Sequence, residues 1–263
     1  MENYLGTVLF FIFLWSSCLQ LSESAEFGFA GRKYSRFDAT ANVVDAPASH
    51  HEFRGASATF SMWQPYVELP SEFSLAQIWI TAGNYQDNSL NSIEVGWQVC
   101  EEIYGDNLPH LFVFWTRDAY NSTHCYKYAY LRDAGNEIWV LALDGENVGY
   151  WPASLFNLLN DGVATNVDWG GEIVNSEPDG RHTKTVMGSG QFAEAGLKSA
   201  AYIRSMKTRN LQNEEVAAPL DPNNRPFATK SSCYDVRRFS DPSSVWGTYI
   251  VYGGAGLSSK CQV

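Results

Sequence analysis

Positive charge is scarce in this sequence. Eighteen lysines and arginines stand against 29 aspartates and glutamates in 263 residues, a formal net charge of −11 at pH 7. The basic residues form no cluster, and a phosphate backbone is bound by clustered Lys and Arg, so nucleic acid is not an expected partner. Long apolar runs are missing beyond the first 25 residues, and no later stretch is long enough to span a bilayer. Histidine is sparse and scattered: His50-His51, His110, His124 and His182. With no CxxC or HxxxH spacing, neither a metal nor any other cofactor is expected, and zinc is only the second reading of the cysteines. Amphipathic helical periodicity is thin as well, which argues against bundles and α/β folds.

An apolar stretch centred on Val8 to Trp15 opens the chain, and small residues follow at Ser22 to Ala25. Residues 1–25 therefore read as a secretory signal, although Glu2 and the absence of early Lys or Arg keep a retained membrane anchor as the alternative. The mature chain is then expected outside the cytosol and off the membrane. Removing the signal removes Cys18 and leaves Cys100, Cys125, Cys233 and Cys261. Four cysteines in a secreted chain suggest two disulfides, with three possible connectivities. Asn121-Ser122-Thr123 is a glycosylation sequon and marks an exposed loop. Residues 26–50 are polar, carry Gly28, Gly31 and Pro47, and read as a short, loosely ordered leader before a domain at 51–263.

Within that domain, strand-like runs follow one another and are broken by Gly and Pro turns. They cover 56–63, 73–81, 93–100, 111–116, 138–143, 167–174, 183–187, 201–207, 234–239 and 245–252. Short helices are expected only at 152–159, where Pro152 suits a first turn, and at 191–199. The fold class this pattern predicts is all-β: an antiparallel β-sandwich or jelly roll with few short helices.

Two of the runs carry a glutamate opposite their bulky apolar residues. Side chains alternate along a strand, so Ile93, Val95 and Trp97 share one face, and Glu94, Gly96 and Gln98 the other. In the same way Trp169, Gly171 and Ile173 oppose Asp168, Gly170 and Glu172. Glycines beside a carboxylate on its own face suggest open space that a substrate can occupy. The plainer reading puts both glutamates on the solvated face of a half-buried sheet.

Taken together, these stretches resemble the plant neprosin family, secreted glutamic peptidases with a β-sandwich fold that cut after proline. The resemblance is carried in order by residues 73–79 (FSLAQIW), 92–97 (SIEVGW), 104–106 (YGD), 114–118 (FWTRD), 149–152 (GYWP), 169–172 (WGGE) and 187–190 (MGSG). It implies that Glu94 and Glu172 are the catalytic pair, facing each other on neighbouring strands of a concave sheet. Two close carboxylates share one proton, and their pKa values separate into a base for water and an acid for the leaving nitrogen. An acidic pH optimum follows. The implied partner is a proline-containing peptide or protein, and the implied location is extracellular: apoplast, cell wall or vacuole. Gln77 is a candidate to hydrogen-bond near the pair. Trp97, Tyr150 and Trp169, with Trp79, Trp115 and Trp151, are candidates for an aromatic slot around a proline ring. The resemblance also pairs Cys233 with Cys261, and leaves a Cys100–Cys125 bridge open.

The chain departs from the family pattern between residues 126 and 138. Cys125-Tyr126-Lys127-Tyr128 lacks a second nearby cysteine and passes almost at once to Gly135-Asn136, so some tens of residues, two or three strands, are missing. Three other functions compete. A β-jelly-roll glycoside hydrolase also sets two carboxylates on an aromatic-rich sheet. A catalytically impaired extracellular recognition protein would keep the fold and lose turnover. A serine hydrolase is disfavoured, because Met187 and Gln191 stand where a nucleophile elbow needs glycines around Ser189.

Overall fold

The computed structural model of the chain describes residues 42–45, 52–123, 138–176, 181–218 and 226–261, all within one unit, Tyr34–Val263. Thirteen strands follow in chain order: β1 (Asn42–Asp45), β2 (Gly55–Phe60), β3 (Ser74–Ala82), β4 (Asn91–Val99), β5 (His110–Thr116), β6 (Ile138–Leu143), β7 (Glu146–Pro152), β8 (Asn166–Ile173), β9 (Ala201–Arg209), β10 (Glu215–Ala217), β11 (Phe227–Ala228), β12 (Asp235–Asp241) and β13 (Gly247–Gly253). Among the described residues, helix is confined to single turns at Glu101–Tyr104, Ala153–Leu155 and Ala193–Ala195. The last two fall inside the segments where the sequence suggested short helices. Every strand pairing is antiparallel, and the all-β expectation holds.

Six strands form the first sheet in the order β11-β1-β8-β3-β4-β5. The second sheet is built on β9. β2 pairs with it over 203–209, β13 over 201–203 and β10 over 207–209. A strand has two edges, so β2 occupies one of them, and β13 and β10 share the other. β12 completes this sheet outside β13. β6 and β7 form a separate hairpin.

The alternation read from sequence decides which faces meet. Ile93, Val113, Trp115, Val167, Trp169 and Ile173 of the first sheet are buried in one core with Ile203, Ile250 and Tyr252 of the second. Trp139, Leu141 and Trp151 tie the β6–β7 hairpin to the same core, and the Trp139 indole N–H donates to the Leu159 carbonyl at 2.8 Å. Gly171 permits the close approach of the layers. A Cβ there would lie 2.7 Å from the Tyr252 ring and 2.9 Å from the Met187 sulfur.

Several expectations need correction. Residues 42–45, read as part of a loosely ordered leader, form β1 and pair with β8 and β11 inside the first sheet. Residues 183–187 are not a strand. Thr183 and Thr185 instead give their hydroxyls to the buried Glu72 carboxylate, so a side-chain network replaces the ladder. Cys233 and Cys261 are joined, both fully buried, with Cα atoms 4.5 Å apart. Cys100 is a free, buried thiol rather than half of a bridge, and burial raises its pKa. Cys125, the signal at 1–25 and most of the shortened stretch between 126 and 138 lie outside the described residues.

Candidate active site

Register fixes which side chains share the outer face of the first sheet. Across β3, Trp79 stands between Glu94 of β4 and Asp168 of β8. Gln77 stands between Gly96 and Gly170, and Leu75 between Gln98 and Glu172. Directly opposed residues project to the same side, so Glu94, Gln77 and Glu172 occupy one face. It is the face turned away from the core that holds Ile93, Trp169 and Ile173.

The two glutamates are not on neighbouring strands, as the resemblance implied. β3 lies between them, and they are offset by four residues along it. At about 4.8 Å between strands and 3.3 Å per residue, that places their Cα atoms roughly 16 Å apart. Gln77 fills the middle row, and its Nε2 donates to Glu172 Oε2 at 3.2 Å. The expectation that Gln77 hydrogen-bonds within the pair is met on the Glu172 side. Its Oε1 is buried and has no hydrogen-bond partner among the described residues.

Glu94 is only 5% exposed. Its Oε1 accepts the Ser92 hydroxyl at 2.7 Å and also the Tyr120 hydroxyl, and the two hydroxyl oxygens are 3.2 Å from each other. Donors on a carboxylate favour its charged form, whereas burial opposes it. Tyr120 remains a donor because burial, and then the Glu94 charge, push its pKa well above the ordinary phenol value. Glu172 is half-buried.

Gly96 has a different role from the one its position suggested. A Cβ there would lie 1.8 Å from the Ala76 carbonyl oxygen and 2.7 Å from Gln77 Cα. The space beside Glu94 is taken by the β3 backbone, so this glycine serves strand approach rather than substrate room. Beyond it, Gln98 closes the face. Its Oε1 accepts the Tyr104 hydroxyl at 3.0 Å, and the Tyr104 ring stacks on His110 at 4.2 Å.

The aromatic candidates are dispersed. Trp169 is fully buried in the core, on the face opposite Glu172, and so cannot wall a ligand lying over the glutamates. Trp97 also points to the inner side of β4, where it lines a cleft with Met62, Trp63, Pro65 and Pro109. Tyr150 is half-buried on β7, outside the first sheet. Trp79 alone shares the glutamates' face. Asn121 is exposed, in a loop as expected. Sequence reasoning did not single out Ser92 or Tyr120. Ser92 was within reach, lying two residues before Glu94 and so on the same strand face. Tyr120 reaches Glu94 only through the turn after β5, which no periodicity encodes.

The chain matches the Neprosin family over residues 70–130 and again over 127–255. The two segments overlap at residues 127–130. Together they cover well over half of the chain, which therefore belongs to the neprosin family.

Proposed function

We propose that this member of the neprosin family is a secreted glutamic endopeptidase that hydrolyses the peptide bond after proline, with Glu94 as general base and Glu172 as general acid. The observation carrying this reading is that both carboxylates share the outer sheet face, with the Gln77 carboxamide between them and bonded to Glu172. The role assignment follows from the partners. Two hydroxyls donate to one oxygen of the buried Glu94 and favour its ionised state, whereas Glu172 accepts the neutral Gln77 carboxamide in a more open, half-buried setting. Glu94 takes a proton from water, the water oxygen bonds to the scissile carbonyl carbon, and the C–N bond breaks as Glu172 protonates the leaving nitrogen. Proton return from Glu94 to Glu172 by way of solvent resets the pair. The Cys233–Cys261 bridge suits the oxidising environment that secretion implies.

A proline-containing peptide, assayed from pH 3 to 8, tests the reading. Glu94→Gln and Glu172→Gln should each lower kcat/KM by roughly a hundred- to ten-thousand-fold, and the wild-type maximum should fall below neutral pH. Full turnover by either variant would defeat it. A second reading, peptide recognition without turnover, is favoured by the four-residue offset across β3. It predicts that the wild type binds the peptide without cleaving it, and that Glu172→Gln weakens binding.

A further inference from the structure

We propose that Tyr120 is a positioning residue for Glu94, held over the sheet by a left-handed turn that closes on Asp118. The inference rests on the reading of Glu94 as the base, but its geometry stands apart from it. Ala119 and Tyr120 have φ of 53° and 63°. Left-handed backbone costs non-glycine residues roughly 1–2 kcal/mol each, so two in succession persist only where the surroundings enforce them.

Asp118 supplies that enforcement. Its carboxylate accepts the backbone N–H groups and the hydroxyls of both Ser122 and Thr123, with Thr116 Oγ1 also donating. The Tyr120 N–H donates to Thr116 Oγ1 at 2.9 Å, the Ala119 N–H to the Leu90 carbonyl at 3.0 Å, and the Asn121 carboxamide to the Asp118 carbonyl at 2.9 Å. The turn is thus tied to β5 and to the residues entering β4.

Its purpose is visible in where the ring goes. Tyr120 stacks on Phe114 at 5.7 Å, and Phe114 is the residue of β5 directly opposite Glu94. A phenylalanine at 120 would fill the same volume; only the hydroxyl reaches the carboxylate. With Ser92, that hydroxyl fixes Oε1 and sets the rotamer in which Glu94 meets the outer face. Among the described residues, the other ionisable groups on this face or against the ring are Asp168, in Glu94's own row across β3, Glu172 further along β8, His110 and Tyr104 beside Gln98, and Tyr85, whose ring lies 6.1 Å from that of Tyr120.

The test uses the full chain with ¹³C-labelled glutamate, following the Glu94 carboxyl through a pH titration. Tyr120→Phe should raise the Glu94 midpoint by about one pH unit, a tenfold change in its protonation equilibrium, and move the acid limb of kcat/KM by the same amount with KM nearly unchanged. Difluorotyrosine at 120, a stronger donor of similar shape, should lower the midpoint. Asp118→Ala should act like Tyr120→Phe by releasing the turn. Lys207→Gln, exposed on β9 of the second sheet, should leave the midpoint alone. A midpoint unmoved by both changes at Tyr120 overturns the proposal. A midpoint that moves in a protein that cleaves no peptide leaves Tyr120 in its positioning role and removes the peptidase reading instead.

Discussion

Replacing Glu72 by alanine should cost several kcal/mol of stability, although Glu72 takes no part in the proposed chemistry. Glu72 is fully buried, just ahead of β3. One of its oxygens accepts the Ser176 N–H and hydroxyl, both at 2.8 Å. The other accepts the Thr183 hydroxyl at 3.0 Å and the Thr185 hydroxyl. These four donors bind the irregular stretch around 182–187 to the start of the central strand, and the Tyr234 hydroxyl secures the Thr185 carbonyl at 2.7 Å. In Glu72→Ala the three hydroxyls can turn toward other acceptors, but the Ser176 N–H is fixed. Counting about 1 kcal/mol for the half-buried Ser176 N–H and about 0.5–1.5 kcal/mol for each of the three hydroxyls gives roughly 3–5 kcal/mol. That is a large share of the 5–15 kcal/mol typical of a folded domain. Glu72→Gln keeps the shape and one acceptor oxygen, and should cost about half as much. Equilibrium unfolding in urea reads this as a lowered midpoint at unchanged slope. A loss below about 0.5 kcal/mol for Glu72→Ala, within the range of ordinary surface substitutions, would refute the reasoning.

Two further outcomes follow from the geometry. Gly96→Ala should destabilise by several kcal/mol, in the overpacking range or above it, and should reduce any peptidase activity, because its Cβ meets the β3 backbone between Glu94 and Gln77; thermal unfolding and a kinetic assay check both. For Asp118, burial raises the carboxyl pKa, but the hydrogen bonds from Ser122 and Thr123 outweigh that and bring it to about 2. A depressed folded-state value contributes stability above the unfolded-state value of 3.8, lost as pH falls toward 2. Asp118→Asn should therefore narrow the stability gap to wild type as a urea series moves from pH 5 down to pH 2; a gap that stays constant would count against the clamp.

Most of the first sheet was legible because its strands are long and their two faces differ. Residues 73–81 and 167–174 alternate over enough positions to give β3 and β8 nearly to the residue, and the family motifs lie on them. The short strands were not. β1 and β11 have four and two residues, too few for a period of two to stand out, and pairing to β8 makes β1 a strand. Residues 183–187 failed for the opposite reason. Their alternation is real, but a buried carboxylate captured the threonine hydroxyls and no strand runs alongside. At the site, parity placed Glu94 and Glu172 on one face correctly, since side-chain direction is a local property. Which strand lies between them is a long-range property of topology, and nothing in the spacing of two glutamates separated by nearly 80 residues of chain encodes it.

That inserted strand changes what a paired-glutamate reading demands. Carboxylates in contact repel by about 4 kcal/mol at 4 Å and an effective dielectric of 20, close to three pH units between the two ionisations. With Cα atoms roughly 16 Å apart, and the Glu94 carboxylate held by Ser92 and Tyr120 rather than reaching toward Glu172, the same expression at that separation gives about 1 kcal/mol, under one unit. The singly protonated state that hydrolysis requires then spans a narrower range of pH. Repulsion between the glutamates is too weak at that distance to set both roles unaided. The difference must come from local surroundings, and these differ: the buried Glu94 accepts two hydroxyls, one of them carried by a strained turn, whereas the half-buried Glu172 accepts the Gln77 carboxamide. On this fold, Ser92 and Tyr120 do for Glu94 what a touching carboxylate would otherwise do.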